Sequence, residues 1–78
     1  MSEDTNEKLR EVIAMAFPNS LIPENIMELE YGAIEEWDSL GNFALLMLVE
    51  QKFGLEFTMN ELSELKSIKQ ILIRIKSN

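Results

Sequence analysis

Among the side chains of this 78-residue chain that could do chemistry, Ser39 has the most suggestive setting. It lies in "EEWDSLGNFALLMLVEQKFG", residues 35 to 54, between Asp38 and Leu40 and just ahead of a strongly apolar segment. A serine hydroxyl becomes a nucleophile only with a general base within hydrogen-bond reach, and the chain has no histidine. Asp38 is too weak a base unless its pKa is greatly raised. Glu35 and Glu36 pair two carboxylates, but neighbouring acids in a loop are ordinarily just solvated. Cysteine is absent, and there is neither a glycine-rich phosphate loop nor a spaced set of metal ligands. We therefore expect no catalytic residue, no metal site and no enzymatic activity.

What Ser39 has is position. Asp38 or Ser39 begins a helix, and a side-chain oxygen there lies beside unpaired N–H groups at the positive end of the helix dipole. One reading is a simple cap. The other is a site modified by a second enzyme, because an attached phosphate is electrostatically tolerated at such a place.

The elements that must position this serine are legible in the hydrophobic periodicity. Leu9, Val12, Ile13, Ala16 and Phe17 form one stripe, which predicts a first helix over residues 5 to 17, capped by Asp4 or Thr5 and stopped by Pro18. A long connection follows from Pro18 to Asp38. Within it "PENIMEL" suggests a single turn with Pro23 at its first position, and Ile22, Ile26 and Leu29 are candidate pegs for the loop. Tyr31-Gly32 marks another bend. The second helix runs to Gly54, whose tolerance of the left-handed conformation suits a helix end. Leu45, Leu46, Val49 and Phe53 make its core face, while Leu40, Phe43 and Met47 form a second stripe. That second stripe is either packed, with the helix buried on both sides, or an exposed apolar patch for a partner.

Beyond Gly54, Leu55-Glu56-Phe57 reads as an extended link. Thr58 with Glu61 has the spacing of a capping box ahead of one or two helical turns, and Ser67 with Gln70 repeats it. Ile68, Ile71, Leu72 and Ile75 give a final helix with a core stripe, with Arg74 and Lys76 near its carboxyl end where positive charge suits the dipole. The isoleucine density of "SIKQILIRI" also allows a strand, but the caps and the lack of turn signals favour a helix. The expected fold is thus all-α, three main helices and a short third one, in one domain over residues 1–78.

Size and charge narrow the function. A chain of 78 residues has little room for a large buried site, and without cysteine its stability must come from packed apolar side chains, as in a reducing, cytoplasmic compartment. The start "MSEDTNEKLR" has no apolar targeting core, and the run from Phe43 to Val49 is too short to cross a bilayer. Residues 1–38 hold ten Asp/Glu against two Lys/Arg, whereas residues 39–78 hold four against five. The acidic half disfavours nucleic acid and suits basic partner surfaces, though acidity also serves plain solubility.

With these residues assembled, the chain resembles the acyl carrier proteins over nearly its whole length. The likeness is carried by "WDSLG" at 37–41, by "FALLMLVEQKFG" running to Gly54, and by "FTMNELSELKSIKQI", similar to that family's short third helix and the start of its fourth. The resemblance implies a four-helix bundle with a long loop between helices one and two. It implies that Ser39 receives a 4'-phosphopantetheine arm from coenzyme A through a phosphopantetheinyl transferase, which supplies the magnesium and the base. Acyl or aminoacyl intermediates would then ride as thioesters on the arm and be presented to loading and transferring enzymes. Asp38 would help to orient the serine during loading, and Leu40, Phe43 and Met47 would contact partners. A mobile shuttle of this kind is expected to be a monomer.

One departure from the fatty-acid-synthesis pattern is informative. The positions of the second helix that carry acids in those carriers are Gly41, Ala44, Glu50 and Gln51 here, so Glu50 is the acidic partner contact that remains. The acidic charge stands instead in the preceding loop, at Glu28, Glu30, Glu35, Glu36 and Asp38, which gives apolar contacts a larger share of docking. The "WDSLG" context looks more like discrete carriers of specialised pathways, including aminoacyl, polyketide-like and cell-surface-modifying ones. The competing expectation is an unmodified helical adaptor that binds a partner through Leu40, Phe43 and Met47, with Ser39 as a cap.

Overall fold

A computed structural model describes the backbone of residues 2–77 and the side chains of residues 5–77. Among the described residues there are four α-helices, one 3-10 turn and no strand. Helix α1 spans Ser2–Ala16. It begins ahead of the expected start, so Asp4 and Thr5 stand inside its first turns rather than at its cap. Apolar spacing marks where a helix must be buried, and the polar residues before Leu9 carried no such mark. At the other end Phe17 N–H still donates to Ile13 O at 2.9 Å, and Pro18 follows. Leu9, Val12, Ile13 and Phe17 are buried, and Ala16 packs at the margin of the core.

The connection from Pro18 to Asp38 is held at several points. A 3-10 turn spans Ile26–Glu28, capped by Asn25, whose Oδ1 accepts from Met27 N–H. The turn therefore starts three residues after Pro23, which is not its first position: a polar cap able to accept a backbone proton decides the start. Ile26 and Leu29 are buried and Ile22 is partly buried, so the pegs are in place. Leu29 O also accepts from Ile68 N–H at 3.1 Å, and Tyr31 N–H donates to Lys66 O at 2.7 Å, making an antiparallel bridge between Glu30 and Ser67. Two backbone bonds thus tie the loop to a segment more than thirty residues away.

Helix α2 spans Ser39–Phe53 and ends at Gly54, whose φ of 66° is the left-handed conformation that costs a residue with a Cβ about 1–2 kcal/mol. Leu45, Leu46 and Val49 are fully buried against α1, with Phe53 at the edge. Leu55 and Phe57 enter the core from the extended link. Helix α3 spans Met59–Glu64 behind a complete capping box, in which Thr58 Oγ1 accepts from Glu61 N–H and Glu61 Oε1 accepts from Thr58 N–H. Helix α4 spans Ile68–Ser77; Ser67 Oγ accepts from Gln70 N–H, while Gln70 Oε1 accepts from Lys66 N–H. Ile68 and Ile71 are buried, with Leu72 and Ile75 partly so. Arg74 does more than suit the dipole of α4. Its guanidinium pairs with Glu61, donates to Glu56 O at 3.0 Å and lies 5.6 Å from the Phe57 ring centroid, tying α4 to α3. No helix among the described residues is long and apolar enough to cross a membrane.

Candidate functional site

The start of α2 is built around a buried tryptophan. Trp37, 1% exposed, stacks on Phe17 with ring centroids 5.5 Å apart and an interplanar angle of 27°. Its indole N–H donates to Asn42 Oδ1 at 2.8 Å, and Asn42 Nδ2 reaches Leu62 O at 3.4 Å. Asn42 is the buried polar side chain of the described core, and these two bonds satisfy it, since an unpaired buried amide would cost about 1–3 kcal/mol. The indole thereby sets the level at which α2 begins.

Asp38 is the cap, which decides between the two residues the sequence left open. Its extended backbone precedes the helix, its Oδ1 accepts from Gly41 N–H at 2.8 Å, and its carbonyl accepts from Asn42 N–H at 2.7 Å. Ser39 is the first helical residue. Gly41 is required by close approach: a Cβ built on it would lie 2.1 Å from Glu36 O and 3.0 Å from Phe17 Cε1. Glu36 is not the solvated acid its neighbourhood suggested. Its Oε1 accepts from Ser20 Oγ at 2.7 Å and from Asn19 N–H at 3.1 Å, pinning the loop end of α1 to the segment before α2. Glu35 is exposed.

Ser39 itself is exposed, and its Oγ shares a hydrogen bond with Tyr31 Oη at 3.1 Å. The two residues line an open cleft of about 200 Å³ with Asn42, Leu62, Ser63 and Lys66. Along α2 from Ser39 the second apolar stripe is open to solvent: Leu40 is 82%, Phe43 51% and Met47 37% exposed. The helix is therefore not packed on both sides. One side of α2 meets the core formed with α1, and no element among the described residues covers the other. Glu50 has a structural duty. It is half-buried, and its Oε2 accepts from Phe57 N–H at 2.7 Å, fastening the link that follows α2.

Sequence reasoning placed Ser39, Asp38, Leu40, Phe43 and Met47 on one helix, and the structure gathers them at its amino-terminal half. It missed Tyr31, Asn42 and Lys66. Their partners are eight, five and thirty-five residues distant, beyond any periodic signal. Trp37 alone carried a local hint, as the single tryptophan immediately before the cap. Comparison with protein-family models, curated proteins and solved structures finds no significant match to this chain.

Proposed function

We propose that this protein is a carrier whose Ser39 is esterified by 4'-phosphopantetheine and which presents acyl or aminoacyl cargo to partner enzymes. The observation that supports this reading best is the juxtaposition of an exposed hydroxyl at the first residue of α2 with an uncovered apolar stripe on the same helix. A stripe of this kind is unusual on a small monomer unless something docks there. The all-α order of four helices, with a long pinned loop before α2 and a short α3, supports this reading.

The residues present fit the group. Ser39 Oγ projects into an open cleft, and the first turn of α2 tolerates the negative charge of an attached phosphate. When attached, the arm supplies a terminal thiol that holds cargo as a thioester. The chain's own residues do the rest. Asp38 fixes the first turn and therefore the direction of the Ser39 hydroxyl; Trp37 and Asn42 keep that turn from shifting; Leu40, Phe43 and Met47 offer the contact surface. On this reading the protein is a monomeric cytoplasmic shuttle and not itself a catalyst. Its partners are a phosphopantetheinyl transferase and the enzymes that load and unload the arm.

Incubation with coenzyme A, magnesium and a broad-specificity phosphopantetheinyl transferase, followed by intact mass measurement, tests the proposal. The wild type should gain one phosphopantetheine and Ser39→Ala none. No gain with any of several transferases would overturn the carrier reading and leave the exposed stripe as the docking face of an unmodified adaptor. A gain that persists in Ser39→Ala would place the attachment elsewhere.

A further inference from the structure

Three separate stretches of chain converge at Ser39, and two of them bring groups suited to an anion. The bridge between Glu30 and Ser67 sets Tyr31 beside Lys66. The Lys66 backbone is held on both sides, its carbonyl accepting from Tyr31 N–H at 2.7 Å and its N–H donating to Gln70 Oε1 at 2.9 Å. The Lys66 ammonium stands 5.1 Å from the Tyr31 ring centroid, and the Tyr31 hydroxyl stands 3.1 Å from Ser39 Oγ. Phenol, ammonium and serine hydroxyl thus line one open cleft.

The charge around that cleft gives the arrangement its meaning. Glu30, Glu35 and Asp38 are exposed in the segment leading to Ser39, and the first 38 residues are strongly acidic. A phosphodiester added to Ser39 would bring another negative charge into this surface. Lys66 is the cation among the residues lining the cleft. Stacking over an exposed tyrosine is a weak attraction, so a full negative charge within reach competes well for the ammonium.

We propose that Tyr31 and Lys66 form the receiving site for the phosphate esterified to Ser39. The Tyr31 hydroxyl donates to a phosphate oxygen in place of the serine, and the Lys66 ammonium supplies the opposing charge. The base of the arm is thereby oriented along the cleft instead of swinging free from the first turn of α2. This proposal rests on the carrier reading and names the residues of this chain that would position the modified group.

The test uses the full chain, loaded as above and verified by intact mass, with the ³¹P resonance of the phosphodiester as the readout. The wild-type line should be displaced from that of coenzyme-A-derived pantetheine phosphodiester on an unfolded chain in denaturant by more than its width. In Lys66→Gln most of the difference between wild type and the flexible reference should vanish. In Tyr31→Phe, which keeps the ring beneath Lys66 and removes only the hydroxyl, part of it should vanish. Both side chains are exposed, so neither variant endangers the fold. Loading with identical ³¹P lines in the wild type and both variants would overturn this proposal and leave the carrier reading intact. No loading of the wild type would remove both.

Discussion

Gly41→Ala separates tertiary packing from helix propensity with opposite expected signs. Within α2 alone, alanine should stabilise, since glycine costs a helix up to about 1 kcal/mol relative to alanine. The tertiary structure reverses this. A Cβ at position 41 would meet Glu36 O at 2.1 Å, whereas a carbon and a carbonyl oxygen ordinarily approach no closer than about 3.3 Å. The two backbones must therefore separate by roughly 1 Å. Neither is free to do so. Glu36 is tied to Ser20 and Asn19, the next residue is the stacked Trp37, and Gly41 N–H is the donor to the Asp38 cap. Phe17 Cε1, at 3.0 Å from the same point, closes the other direction.

Because the clash is with backbone, the cost falls at the upper end of the overpacking range, about 2–3 kcal/mol, which leaves a net loss of about 1–2 kcal/mol after the propensity gain. At about 4–8 °C per kcal/mol for a domain of this size, Tm should fall by roughly 4–16 °C. Thermal unfolding followed by far-UV circular dichroism, with urea midpoints alongside, measures it. Ala44→Gly, on the exposed side of the same helix, isolates the propensity contribution and should cost about 1 kcal/mol. A Gly41→Ala protein as stable as the wild type, or more stable, would refute the close approach and the packing of the segment before α2 that depends on it.

Two further outcomes are expected. Phe43→Ala should cost no more than about 1.5 kcal/mol in chemical denaturation, because half of the residue is already in solvent, while slowing transferase loading; a loss of about 3–5 kcal/mol would assign it to the core after all. Glu61 is held below the ordinary carboxylate range, first by the Thr58 backbone N–H and then by Arg74. A carboxylate whose folded pKa is depressed contributes stability above its unfolded pKa and loses it as pH falls through the folded value. The stability advantage of wild type over Glu61→Gln should therefore shrink on acidification from about pH 5 to pH 3. A difference that stays constant over that range would show that the carboxylate charge is not what the Thr58 box and Arg74 stabilise.

Much of the fold was legible because its signals are local. The stripe of α1, the left-handed Gly54, the Thr58 capping box and the α4 stripe each depend on residues within a turn or two of one another, and each stands where the spacing put it. The errors were also local in origin. The polar start of α1 and the polar cap before Ile26 carry no apolar periodicity, so the helix began earlier and the turn later than expected. Glu36 looked like a solvated acid, and Glu50 like an acidic partner contact, in one dimension. Their hydrogen-bond partners, at Ser20 and Phe57, became neighbours only after the chain turned back on itself.

The sequence by itself determined the helical class and the placing of Ser39 at or next to a helix start, because hydrophobic period and capping chemistry act over short separations. It also marked Leu40, Phe43 and Met47 as one stripe, since helical geometry alone puts them on a common side. Only the tertiary structure decided that the stripe is open to solvent, since exposure depends on which other helices exist to cover it. Only the tertiary structure brought Tyr31 and Lys66 to Ser39, because a single pair of backbone hydrogen bonds between a loop and a distant link leaves no trace in composition or period.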